Sequence, residues 1–269
     1  MKRIFSLIIA VILLVSCGVK SEETTVKKPN KQEGQGDSQS ITDIKDGKFL
    51  ETYNSNYIIC IDPGHQEKPM LDKEPVYPGA SIKKYKVSPG ATGVSTGVHE
   101  YELTLQVSLK LRDMLIDRGY NVVMTRETNN VSISNMDRAY IGNNANADLV
   151  VRVHADSNPS SSVEGSTILY PVGEHTAAIS DKSLVAATIM EKEYAKATGA
   201  KSRGLMPRSD MTGFNHSTVP TIIVEMGFMS NPSEDKLMST PEYQAKIVNG
   251  IYGGIEKHCE TINKQNMQN

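Results

Sequence analysis

The 269-residue chain has no tryptophan and only four phenylalanines, which counts against any function that depends on aromatic platforms for stacking sugars. It also lacks an excess of charge of one sign. The formal net charge is −2 and the pI near 6.3, and the part expected to fold carries no basic stripe, so nucleic acid is excluded as an expected partner. Three cysteines are present, none in a Cys-x-x-Cys pair, which removes a cysteine-built zinc site. No His-Glu-x-x-His occurs, so the common helix-borne zinc peptidase motif is absent. There is no internal repeat.

What is present begins at the amino terminus. Lys2 and Arg3 precede an apolar stretch, Ile4 to Val15, broken only by Ser6. It is short for a membrane span and has the layout of a secretory signal. It ends in Leu14-Val15-Ser16-Cys17-Gly18, which resembles the bacterial lipoprotein signal. That resemblance implies cleavage after residue 16 and lipid on Cys17, and hence a protein held on the outer face of a bacterial membrane by acyl chains. Residues 17–56 are rich in Glu, Lys, Gln, Ser, Gly and Thr and read as a solvated tether. A catalytic domain is expected over 57–262, with a polar tail at 263–269.

Three β-branched runs each end in a residue suited to metal chemistry. Tyr57–Ile61 leads through Asp62-Pro63-Gly64 to His65, Asp148–Val153 ends at His154, and Pro220–Val224 ends at Glu225. Such runs read as buried strands of a mainly parallel sheet, and the ligand crevice of such sheets lies beyond the carboxyl ends of the strands. The three residues are therefore expected on one rim.

Helical patterns alternate with these runs. Glu100 to Arg118 carries Leu103, Val107, Leu111, Met114 and Leu115 on one stripe, and Gly119 ends it. Further helices are expected over Ser132–Ala145 and Thr176–Thr198, after Asn231-Pro232-Ser233-Glu234, and after Thr240-Pro241. Asn121–Thr125 and Ser166–Tyr170 read as strands. The fold class is α/β: a single compact domain with a twisted, mainly parallel sheet and helices on both faces. Gln66 to Val98, rich in Pro, Gly and Lys, reads as a long elaborated loop beside the rim. Cys60 and Cys259 read as buried free thiols, a disulfide being the alternative.

Asp62-Pro63-Gly64-His65, Glu100 opening a helix, Ala147-Asp148 with a strand into His154-Ala155, and Glu225-Met226-Gly227-Phe228-Met229-Ser230-Asn231 occur in one order, with Arg138 in the intervening helix. Together they resemble the zinc-dependent N-acetylmuramoyl-L-alanine amidases of the type 3 class, over about Tyr57 to His258. The resemblance implies that His65, Glu100 and His154 hold Zn²⁺, that Glu225 is the catalytic acid/base, and that peptidoglycan is the substrate of an expected monomer. Glu100 is chosen over Glu102 by family register alone. A catalytic zinc needs three N/O ligands and an open position, and a nearby carboxylate can move protons for it.

Two family positions depart. Gln66 and Asp156 stand where Gly and Asn are frequent. Arg152 shares a sheet face with His154, and pairing with a carboxylate is its bland role; binding substrate carboxylates or orienting the metal shell is the sharper one. Lys83, Lys84, Lys86, Tyr77 and Tyr85 could line a basic wall or simply be solvated. His99, His175, His216 and His258 read as structural or exposed. Rival functions are a catalytically silent wall-binding protein, against which the intact set argues, and a solute-binding lipoprotein, which needs two lobes.

Overall fold

Runs of Ile and Val become strands here because both sheet faces are covered, which removes the need for polar alternation. In this computed structural model, residues 42–45, 48–51 and 56–267 are described. The expected signal segment, Cys17 and most of the expected tether lie outside the described residues. The elements are β1 (Thr42–Lys45), β2 (Lys48–Glu51), β3 (Ile58–Pro63), β4 (Met70–Pro75), β5 (Lys83–Val87), α1 (Glu100–Asp117), β6 (Asn121–Met124), α2 (Asn135–Asn144), β7 (Leu149–Asp156), β8 (Ser166–Pro171), α3 (Ala177–Thr198), β9 (Ser202–Arg208), α4 (Thr212–Asn215), β10 (Thr221–Phe228), α5 (Pro232–Met238) and α6 (Pro241–Asn266).

The six-stranded sheet has the order β6-β3-β7-β10-β8-β9. Every pairing is parallel except β8 with β10, so the mainly parallel sheet expected from the sequence is present. Its two faces differ. Ile59, Ile61, Leu149, Val151, Val153, Ile222 and Val224 join α1, α3 and α6 in the principal core. The alternate residues Cys60, Val150 and Ile223 face the other way, into two small apolar clusters with Ile141 of α2 and Phe214 of α4. Continuing that alternation puts Asp62, Arg152, His154 and Glu225 on this second face.

The polar stretch before residue 57 is not uniformly without structure, as its composition suggested: β1 and β2 pair antiparallel, Ile44 opposite Phe49. The intervening Asp46-Gly47 is a sequence signal for a two-residue hairpin connection. At the other end, α6 runs to Asn266, past the expected boundary at 262, and Asn263 accepts a hydrogen bond from the Tyr57 hydroxyl. The chain thus joins the sheet against the last turns of α6, and Ile58 N donates to Asp148 Oδ2 at 2.8 Å. This is the amino-end pole of the parallel strands.

The segment 66–98, expected as an irregular loop, contains the antiparallel pair β4–β5. It is tied down at three places. Glu74, only 3 % exposed, accepts from Met136 N at the start of α2. His216 Nε2 bonds the Pro75 carbonyl, and Lys84 Nζ reaches Asp210 Oδ2 at 2.7 Å. The hairpin is a fixed wall of the carboxyl-end pole. Cys60 and Cys259 are both buried and unpaired, and burial pushes each thiol up to about 12, which leaves no thiolate for chemistry near neutrality.

Candidate active site

Strand register brings two of the expected residues together directly. Glu225 on β10 lies opposite His154 on β7, and Asp62 on β3 lies opposite Arg152. Just beyond β3 the chain turns, and His65 takes a left-handed backbone, φ 59°, which swings its imidazole back over the strand ends. The turn works only with glycine at 64: an added Cβ would come within 2.4 Å of the His154 ring. The rings of His65 and His154 then meet edge to face, with centroids 4.9 Å apart.

The turn is clamped from beneath. Arg138, 2 % exposed, donates to the carbonyls of Pro63 and His65, both at 2.7 Å, and to Asp62 Oδ1 at 2.7 Å. Arg126 donates to the carbonyls of Pro63, Gly64 and Tyr101 at 2.8–3.0 Å. Arg126 carried no signal in the sequence, because its work is done on backbone carbonyls that no motif encodes. Gln66, the first departure from the family pattern, is fully buried and accepts from Arg138 Nη2 at 3.1 Å; its amide extends the clamp.

Glu100 arrives from the opposite face of the sheet, at the first turn of α1. Its Oε1 lies 3.1 Å from His65 Nε2 and 3.0 Å from His154 Nδ1 and accepts from Ala155 N at 3.1 Å, while Oε2 accepts from Ala91 N at 2.8 Å. Glu102 instead accepts from His99 N at 3.0 Å and closes the helix start. Of the two acids, Glu100 is the one that meets both histidines. Burial alone would raise the Glu100 carboxyl, but its bonds to His154 and His65 hold it well below the usual carboxylate range.

A metal fits this trio. Their ligand atoms all lie within 4.8 Å of one another. His65 Nδ1 is 3.0 Å from the Ser88 carbonyl, which can only accept, so Nδ1 carries a proton and Nε2 is the ring atom that faces the Glu100 carboxylate, 3.1 Å away. Burial opposes a second proton on this ring, but the Glu100 carboxylate raises the His65 pKa, so either that proton or a metal cation fits between the two atoms. For His154, burial lowers the ring's proton affinity, which suits a neutral ligand, and its Nε2 is buried with no partner.

Glu225 stands beside the trio with a different character. Its Oε2 is buried and has no hydrogen-bond partner. Burial raises its pKa well above the usual value, and the negative charges of Glu100 and Asp156 add to the effect. A carboxyl poised in this way accepts and returns a proton when a cation or a reacting group enters. Asp156, the second departure, is half-buried at the mouth of the same cleft and accepts from Ser157 N.

The cleft has a volume of about 730 Å³ and is bounded by the trio and Glu225, by Lys73, Lys83 and Lys84 of the hairpin, and by Arg152 and Arg208. Arg152 pairs with Asp62 Oδ2 at 2.6 Å, the bland role expected of it. His99, His175 and His216 make local contacts: with Thr92, on the Tyr77 ring, and with Pro75. His258 is buried far from the cleft, with neither ring nitrogen partnered.

Comparison with known proteins gives the same picture. The chain is 28 % identical over 206 residues to an N-acetylmuramoyl-L-alanine amidase of Mycobacterium tuberculosis, covering 74 % of this chain and 84 % of the relative. It is 26 % identical to the germination-specific N-acetylmuramoyl-L-alanine amidase of Bacillus subtilis, covering 76 % and 80 %. The crystal structure of the N-acetylmuramyl-L-alanine amidase Ami1 from Mycobacterium smegmatis superposes with a TM-score of 0.71 at 28 % identity, over 77 % of this chain and 98 % of that one. The family model described as N-acetylmuramoyl-L-alanine amidase, Amidase_3, matches residues 59–257, a span that contains all of the six-stranded sheet but its first residue, Ile58, together with His65, Glu100, His154 and Glu225, and the chain belongs to that family.

Proposed function

We propose that this peptidoglycan amidase is zinc-dependent, cuts the amide between N-acetylmuramic acid and L-alanine, and acts as a monomer tethered through lipid on Cys17 to the outer face of the membrane. The observation that carries the zinc reading is the convergence of His65, Glu100 and His154, with ligand atoms within 4.8 Å of one another and His65 Nε2 3.1 Å from Glu100 Oε1. That separation is close to the roughly 3.3 Å edge of a ligand tetrahedron around zinc, given bonds near ~2.0 Å.

His65, Glu100 and His154 would hold the ion. When bound, zinc supplies Lewis acidity, polarising the amide carbonyl and making a water easier to deprotonate. The remaining work falls to the chain. The hairpin lysines Lys73, Lys83 and Lys84 and Arg208 line the cleft that would receive the substrate. Glu225 Oε2, free of any protein partner, takes a proton from the attacking water as oxygen joins the carbonyl carbon. It then delivers that proton to the alanine nitrogen as the carbon–nitrogen bond breaks. The products are a muramic acid carboxylate and a peptide with a free amino terminus. Arg138 and Arg126 hold the His65 turn still while this happens.

The test is digestion of purified peptidoglycan with and without a chelator, followed by identification of the new termini. Zinc-dependent appearance of alanine amines is the expected result; reducing sugar ends, or release that is indifferent to chelation, would refute it. Glu225→Gln should keep its zinc, measured by elemental analysis, and lose on the order of 10²–10⁴-fold in kcat.

A further inference from the structure

Three buried arginines, Arg126, Arg138 and Arg152, gather around one buried carboxylate, Asp62. Asp62 Oδ1 accepts from Arg138 and Thr125, and Oδ2 from Arg152. Arg126 binds backbone carbonyls and the Thr104 and Asn129 side chains. Among the described residues, Asp62 is thus the one carboxylate bonded to any of the three, in a region where an uncompensated charge is costly. Burial and the Arg138 charge lower Arg126 to about 10.

Of the three, only Arg152 lines the cleft. Its Nε is spent on Asp62 and its Nη2 on Asn135 Oδ1 at 2.9 Å. Among the described residues nothing accepts from Nη1. That nitrogen lies against Gly213, where an added Cβ would be 1.7 Å away, and both residues line the cleft with His154 and Glu225. Along β7, Arg152 is one pleat repeat from His154, roughly 6.6 Å. A peptide bound with its amide at Glu225 places the next residue's substituents at about that distance, since an extended chain advances ~3.3–3.6 Å per residue.

We propose that Arg152 is a specificity-determining residue whose Nη1 receives a carboxylate of the stem peptide, borne by the residue after L-alanine. A guanidinium locked on two edges presents its last donors in a fixed direction, which discriminates carboxylate from carboxamide better than a flexible lysine does. Gly213 is glycine because any side chain there would displace the guanidinium. The inference rests on the amidase reading above and names the group that reading leaves open.

The experiment compares N-acetylmuramoyl-L-alanyl-D-glutamate with its α-carboxamide as substrates of the zinc-loaded enzyme, for wild type, Arg152→Gln and Gly213→Ala, with thermal melts of each protein. Wild type should prefer the free carboxylate by on the order of ten- to hundredfold in kcat/KM, mostly through KM. Both variants should bring the ratio toward one. Gly213→Ala keeps every charge and decides the matter if Arg152→Gln does not fold. Equal cleavage of the two substrates by wild type would overturn this inference alone, as would a preference that survives in a folded variant. Cleavage of neither would overturn the amidase reading and this inference with it.

Discussion

Asp62 shows how much of the site depends on a residue that never touches the reacting atoms. Burial alone would raise its carboxyl, but Arg138 and Arg152 hold it far below the usual carboxylate range. A group depressed in the folded state stabilises the fold fully above its unfolded value, about 4. That stability is lost as pH falls toward the folded value. Asp62→Asn should therefore cost about 3–5 kcal/mol near neutrality, the penalty for stranding a buried charge. The gap between variant and wild type should narrow steadily below pH 4, as read by urea denaturation across pH; a gap that is constant with pH would contradict the assignment. At this scale the sequence was informative where chemistry sits at the end of an apolar run, as with His65, His154 and Glu225. Glu100 was not found that way, because it reaches the rim from a helix on the far face of the sheet and only the family resemblance supplied it. Arg126 was not legible at all.

At the scale of elements, the central strands and long helices announced themselves through apolar runs and stripes. β9 and the β4–β5 hairpin did not. β9 contains Gly204 and Pro207 and lies at the sheet edge, the place where proline is tolerated in a strand. The hairpin β4–β5 is mostly charged, and its register shifts between Met70 and Lys73, so no alternation of polar and apolar residues was there to read. Its anchoring comes from contacts distant in sequence. Of the three, Lys84–Asp210 is about half exposed and worth little, since exposed pairs contribute ~0–1 kcal/mol. Glu74 is the buried anchor, and burial raises its pKa. Glu74→Ala should loosen the hairpin, seen as faster proteolytic nicking within 76–82. The melting temperature should move by only a few degrees, because the principal core lies on the other face. A hairpin as resistant as wild type would show that the remaining contacts suffice.

For the molecule as a whole, the active site and the start of the folded chain occupy opposite poles. The cleft opens at the carboxyl ends of the parallel strands, and Tyr57 joins the sheet at their amino ends, against α6. If Cys17 carries the proposed lipid, Cys17→Ser should move the protein from the membrane pellet to the soluble fraction while the isolated activity per molecule is unchanged. Retention in the pellet would refute the anchor.

The length of β7, eight residues, corresponds to roughly 25 Å, and it sets the separation of the two poles. If Cys17 carries the proposed lipid, a random-coil chain of the length that separates it from β1 would span roughly 28 Å, enough for the domain to turn over and work at any height within that radius. Shortened toward Tyr57, the same protein would be hung by its blunt end with its mouth outward. The newest wall, next to the membrane, would then lie behind it, and only older material would come within its bite. The tether's length, rather than the chemistry of the cleft, would decide the age of the glycan that is cut.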